Sequence, residues 1–118
     1  MQISAITSVI LGLVSVQVSA AGFRASCSTV SLDGFTLSAE CTSAVGGNPG
    51  TSRLDINQCF FALDGKISCG AGGISGCKCS QTDVASARCT CPDNAGKTVT
   101  NDVDLDACIS NSDGKLSC

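Results

Sequence analysis

The chain lacks several residue types that function often depends on. Its 118 residues include no histidine, tryptophan or tyrosine, and only four phenylalanines: Phe23, Phe35, Phe60 and Phe61. Without histidine, the usual general base for a serine or cysteine nucleophile is missing. Glycoside hydrolysis needs two carboxylates facing one cleft, and no such pair stands out. Asp55, Asp64, Asp104, Asp106 and Asp113 fall in or beside turns, where carboxylates serve as caps. The sequence therefore points to a binding protein and not to an enzyme. The net charge is −3, with no basic stripe and no polybasic segment. Nucleic acid and membrane surfaces are thus not the expected partners. No Asn-x-Ser/Thr acceptor for N-glycosylation occurs. Adjacent Cys-Cys doublets are also missing, which argues against a hydrophobin-like surface protein.

Cysteine is abundant, with ten in the chain. An apolar run over residues 5–18 ends in the small residues Val18-Ser19-Ala20. This is the pattern of a secretory signal peptide, although no Lys or Arg precedes the run. The run is shorter than the roughly 20 apolar residues of a membrane span. Removing residues 1–20 would leave a secreted, extracellular domain of 98 residues, 21–118. Domains this small usually need support beyond their core, and an even cysteine count behind a signal peptide reads as a disulfide framework.

The cysteines mark an internal repeat. The 14-residue step Cys27 to Cys41 recurs as Cys77 to Cys91, and the 10-residue step Cys59 to Cys69 recurs as Cys108 to Cys118. Leu54-Asp55-Ile56-Asn57-Gln58-Cys59 returns as Val103-Asp104-Leu105-Asp106-Ala107-Cys108, and Asp64-Gly65-Lys66-Ile67-Ser68-Cys69 as Asp113-Gly114-Lys115-Leu116-Ser117-Cys118. Repeat one runs over about 21–70 and repeat two over about 71–118.

Spacing suggests local pairing. Cys27 and Cys41 are symmetric about Gly34, Cys59 and Cys69 about Asp64, and Cys108 and Cys118 about Asp113. Each centre belongs to an Asp-Gly turn, a strong hairpin signal. Cys77–Cys91 and Cys79–Cys89 share Val84 as their centre and would form two rungs on one face of one hairpin. The expected bridges are 27–41, 59–69, 77–91, 79–89 and 108–118, although ten cysteines allow many other pairings. Each would add roughly 2–3 kcal/mol in the chain-entropy treatment, so full reduction should unfold the domain.

Period-two alternation in 28–32 and 35–39 predicts strands, as does Thr98-Val99-Thr100. Segments 52–59 and 102–108 read as strands followed by helical turns. Residues 46–50 and 70–73 read as loops, the second being a linker or hinge between the repeats. The pairs Cys77/Cys79 and Cys89/Cys91 are read as disulfides in preference to a thiolate metal site. Asp102-Val103-Asp104-Leu105-Asp106 lacks the glycine and glutamate of an EF-hand loop. No metal or cofactor is expected.

The repeated pattern, Cys-x13-Cys followed by Leu/Val-Asp-x-Asn/Asp and Asp-Gly-x-Ile/Leu, resembles the cyanovirin-N homology family. The resemblance implies an all-β, elongated, pseudo-symmetric two-repeat fold of short strands, hairpins and helical turns. It implies a lectin for mannose-type glycans, notably α1-2-linked mannose, working without metal as a monomer or a domain-swapped dimer. Cysteines 59, 69, 79, 89, 108 and 118 depart from the family pattern and are expected to replace core side chains with covalent staples.

Carried over by position, one sugar site would use Gly22, Ala25, Ser26, Thr42, Ala44, Asn111, Ser112, Asp113 and Gly114. Asn111 and Asp113 match the family. Thr42 stands where Glu is common, and Ala25 where an amide is common. The second half would use Phe61, Ala62, Asp64, Ser75, Gly76, Pro92, Asn94 and Gly96. Only Asp64 keeps a family identity there, so this second site is expected to be weak or absent. The competing expectation is a secreted effector or cell-wall protein that uses the scaffold to bind a protein.

Overall fold

The computed structural model describes residues 22–43 and 49–118. The expected leader, 1–20, and site residue Ala44 lie outside them. The described residues form ten short strands: β1 (Cys27–Asp33), β2 (Thr36–Cys41), β3 (Gly50–Asp55), β4 (Phe60–Leu63), β5 (Lys66–Cys69), β6 (Lys78–Asp83), β7 (Ser86–Pro92), β8 (Thr98–Asp104), β9 (Ser110–Ser112) and β10 (Lys115–Ser117). Single 3₁₀ turns cover Phe23–Ala25, Ile56–Gln58 and Leu105–Ala107. The expected strand-then-turn segments are present. Asp55 accepts from the Asn57 amide and Asp104 from the Asp106 amide, each at 3.0 Å. These carboxylates cap their turns, satisfying donors that a turn leaves unpaired.

Each repeat makes a three-stranded antiparallel sheet, β1-β2-β3 or β6-β7-β8, followed by a two-stranded hairpin, β4–β5 or β9–β10. The hairpins are exchanged between the sheets. The Leu116 amide of β10 donates to Ser52 Oγ of β3 at 2.9 Å. The Ile67 amide of β5 donates to Asn101 Oδ1 of β8 at 3.0 Å, and Asn101 Nδ2 donates back to Gly65 O at 2.8 Å. Each half of the molecule thus takes strands from both repeats. Phe23, Leu37, Ile56, Phe60, Ile74, Leu105 and Ile109 are fully buried in one contiguous apolar cluster that also takes in Cys41, Cys89 and Cys91. Gln81 ties the two sheets: its side chain accepts from the Leu32 amide at 3.1 Å and donates to Val30 O at 3.2 Å.

The five disulfides only partly follow the expected scheme. Bridges 27–41, 77–91 and 79–89 form as expected. The expected 59–69 and 108–118 are corrected to Cys59–Cys118 and Cys69–Cys108. The reason is register. A two-residue turn centres a hairpin between residues, so facing partners are an odd number of positions apart. In β4–β5, Leu63 faces Lys66 across Asp64-Gly65, which brings Cys69 opposite Phe60 and not Cys59. In β9–β10, Ser112 faces Lys115 and Ser110 faces Ser117, so Cys108 and Cys118 are likewise one place out of step.

The other two hairpins contain a bulge that absorbs one residue. In β1–β2 the register shifts between Ser28 and Ser31, and Cys27 comes to face Cys41. In β6–β7 the shift lies between Gln81 and Asp83, and Cys79 faces Cys89. A bulge adds one residue to one strand and changes the parity of every pair beyond it. The first bulge holds Thr29 at φ 54°, a left-handed conformation that a β-branched residue occupies at a cost.

Cysteines 59, 69, 108 and 118 stand at the feet of the two exchanged hairpins. The bridges therefore cross between repeats, with separations of 59 and 39 residues against 14, 14 and 10 for the local ones. Taken singly, loops of these lengths correspond to about 4 kcal/mol for the crossing bridges and about 3 kcal/mol for the local ones. Not all the added cysteines replace core side chains: Cys59 and Cys89 are buried, whereas Cys69 and Cys118 are exposed.

Two outcomes are expected. Non-reducing peptide mapping will recover 59 joined to 118 and 69 joined to 108; recovery of 59 joined to 69 would contradict the register. Thr29→Asn, which tolerates the left-handed region, will stabilise the fold by about 1 kcal/mol. It will be read as a higher urea midpoint at unchanged slope.

Candidate functional site

One side chain joins three separate segments near the end of the first half. Asn111 lies on β9 and donates through Nδ2 to Ser26 Oγ at 2.8 Å and to Thr42 O at 2.9 Å. Its Oδ1 accepts from the Gly114 amide at 2.7 Å. Thr42 returns to Ser26: its amide and its Oγ1 both donate to Ser26 O, at 3.1 and 3.2 Å. The exit of the first 3₁₀ turn, the exit of β2 and the β9–β10 turn are thereby fixed together.

The local backbone explains the placement. The Asp113-Gly114 turn has positive φ at both residues, 52° and 92°. This is the two-residue turn whose twist suits a hairpin, and Asp-Gly is among its preferred sequences. A Cβ on Gly114 would come within 3.3 Å of Ser43 Cβ, so glycine lets the turn approach the segment after β2. Gly22, at φ 88°, precedes the first 3₁₀ turn and donates to Asp106 O at 2.8 Å. Asp106 Oδ1 accepts from the Arg24 amide at 2.7 Å. Beyond its place beside a turn, the Asp106 side chain docks the start of the domain against repeat two.

Of the expected residues, Ser26, Thr42, Asn111 and Gly114 are brought into one network, with Ser112 and Asp113 on the turn it holds. Ala25, Ser26, Thr42, Ser112 and Asp113 are exposed. The Asn111 amide donors are both used internally, so this residue positions the site. The Ser26 hydroxyl accepts from Asn111 and keeps its own O–H to donate. The surface offers hydroxyls, backbone groups and one carboxylate, a set that suits a neutral polyol.

The corresponding place in the second half is built differently. Counting along the repeat, Asn111, Ser26 and Thr42 become Ala62, Gly76 and Pro92. None of these has a side-chain polar atom, so the bridging network has no counterpart. Asp64 remains and accepts from the Asn94 amide at 2.8 Å, on a loop that Asp93 braces through the Ala95 and Lys97 amides. Gly76 and Pro92 line a depression of about 270 Å³ with Lys78, Thr90, Cys91 and Thr98. Ser75 and Gly96 are exposed. Phe61 is turned away to the 70–73 segment, where a Cβ on Gly72 would come within 2.9 Å of it. Phe61 thus lies against this segment, whose Gly70, Gly72 and Gly73 have positive φ.

A CVNH domain matches residues 23–118, and the chain belongs to this family, the cyanovirin-N homologues. Solved structures agree. The Gibberella zeae CVNH protein is 28% identical with a TM-score of 0.68, over 81% of this chain and 95% of that one. A designed cyanovirin-N homolog lectin, LKAMG, is 25% identical with a TM-score of 0.67, over 81% and 97%. Microvirin, solved as a complex with mannobiose, is 24% identical with a TM-score of 0.65, over 82% and 97%. No curated protein sequence matches the chain.

Asn111→Ala removes both donors and the acceptor. It is expected to cost about 1–3 kcal/mol and to speed amide exchange at Gly114. Asn111→Asp keeps the acceptor, so Gly114 stays protected and the Ser26 hydroxyl can turn to donate to the new carboxylate, while the link to Thr42 O is lost. Exchange measured by NMR at Gly114 and Thr42 separates the two variants.

Proposed function

We propose that the chain is a secreted lectin, a carbohydrate-binding protein without catalytic activity. It takes mannose-type glycans through one site formed by Gly22, Ala25, Ser26, Thr42, Ala44 and the 111–114 turn. The observation that carries this reading is the Asn111 network, which rigidly joins residues of both repeats under an exposed row of hydroxyls. Rigid hydroxyls and backbone groups can match sugar hydroxyls with little ordering cost on binding. Family membership and the mannobiose complex of microvirin support the ligand class. The leader-like 1–20 and five disulfides support secretion and a single domain over 21–118.

The loss of Asn, Ser and Thr at the second-half positions supports a single working site. Leu63, next to the second-half turn, is 71% exposed. That exposed leucine favours the second reading, a protein-binding role for this end of the scaffold. A glycan array separates the two: no glycan bound would leave the protein-binding role.

Titration of the mature protein with α1-2 mannobiose, followed by ¹⁵N NMR, is expected to shift Ser112 and Gly114 and leave Asp64 and Asn94 unmoved. Asn111→Ala is expected to weaken binding at least tenfold, about 1.4 kcal/mol. No shift at Ser112 or Gly114 at millimolar sugar would overturn the site.

A further inference from the structure

Four cysteines, Cys59, Cys69, Cys108 and Cys118, line a single surface depression of about 350 Å³ together with Gln58, Gly70 and Ala71. They make up the two crossing disulfides, and each of those bridges has one exposed end, Cys118 or Cys69. The three local bridges are placed differently. None of their six cysteines is exposed, and each bridge has one within 1% of full burial, Cys41, Cys91 or Cys89, on the central strand of a sheet, whereas the crossing bridges join an exposed end to the buried Cys59 or the half-buried Cys108. The rate of thiol–disulfide exchange depends on access of the attacking thiolate to a sulfur.

We propose that this depression is a thiol-exchange site, at which a small-molecule thiol such as glutathione selectively opens the two crossing disulfides. The thiolate attacks Sγ of Cys118 or Cys69, a mixed disulfide forms there, and Cys59 or Cys108 leaves as a thiolate and takes up a proton. A second thiol attacks the mixed disulfide, releasing oxidised glutathione and the second protein thiol. Each bridge opened thus consumes two thiols and yields one small-molecule disulfide.

The local bridges stay closed, so each sheet keeps its shape. The β9–β10 hairpin loses both covalent feet but keeps the Asn111 bonds, the Leu116–Ser52 bond, the bond from the Phe23 amide to Ile109 O and the burial of Ile109 and Leu116. The outcome is a folded but looser form whose site-bearing hairpin opens more often. The chemistry of the depression does not depend on the lectin reading, which supplies only the meaning of the loosened turn.

The test uses the mature protein in graded ratios of reduced to oxidised glutathione. Free thiols are trapped with an alkylating reagent and mapped by mass spectrometry, and amide exchange is followed by NMR. Cysteines 59, 69, 108 and 118 are expected to label before the other six. In that partly reduced form, exchange at Gly114 and Leu116 is expected to rise at least tenfold, while Ala39 and Ala87 on the central strands hold their protection. Simultaneous labelling of all ten cysteines, earlier labelling of a local pair, or unchanged exchange at Gly114 and Leu116 would each overturn the proposal. A protein that labels in the expected order yet never binds mannobiose would sink the lectin reading and leave this site standing.

Discussion

Neither repeat can complete a half of this molecule by itself. Each sheet carries an apolar face that its own following hairpin does not cover, because the 3₁₀ turn between them sends the hairpin to the other sheet. Leu116 is buried on the far side of that exchange, and Ile67 packs against the core from the opposite direction. Burying such a side chain contributes about 1.5–3 kcal/mol, and it is realised only when both repeats are folded and joined. The caps at Asp55 and Asp104, the docking bonds from Ser52 and Asn101, and the two crossing disulfides all serve this exchange. With few aromatics to build a core, the molecule relies on short-range polar pinning to hold the exchanged pieces in place.

The same exchange creates the candidate site. Ser26 and Thr42 come from repeat one and the Asn111 turn from repeat two, so the site exists only where a hairpin meets the other repeat's sheet. The duplication would provide two such places. At the second, Ala62, Gly76 and Pro92 leave the meeting point without side-chain donors or acceptors. The turn itself persists, pinned by Asp64 to the Asn94 loop. The two ends have therefore kept the same fold while diverging in surface chemistry. The mechanism of divergence is simple: the turn needs only Asp-Gly and a backbone contact, whereas a polar site needs Asn111 and its partners together.

Much of this was legible in the sequence. The repeat, the strands and the Asp-Gly hairpins β4–β5 and β9–β10 follow from the sequence pattern, whereas the β1–β2 turn is Gly34-Phe35 with Asp33 in the strand, and the local bridges 27–41, 77–91 and 79–89 match the expected symmetry only because bulges shift the register. The parity of the cysteines was legible as well. Separations of 10 and 14 are even, and an unbulged hairpin with a two-residue turn pairs residues at odd separations. What spacing does not reveal is which hairpin carries a bulge. Thr29 and Thr82 have no glycine to announce one, and a bulge in an exposed stretch leaves no change in apolar pattern. The β4–β5 and β9–β10 hairpins pair without a register shift, so their cysteines stay out of step and bridge to the other hairpin. The role of Asn111 as a bridge was also hidden, because Ser26 and Thr42 lie 85 and 69 residues away from it.

Two kinds of disulfide then divide the work of stabilisation. The local bridges span strands that already pair in register, so they reinforce structure each repeat forms by itself. The crossing bridges join segments that meet only after the repeats have combined, and they remove more freedom from the unfolded chain. A local bridge therefore secures a sheet, and a crossing bridge secures the exchange. Because Cys59 and Cys118 flank different hairpins, as do Cys69 and Cys108, either bridge alone would leave one foot of each hairpin untied. The pair closes the base of both hairpins at once, and so restrains the Asp113-Gly114 turn from a distance without touching it.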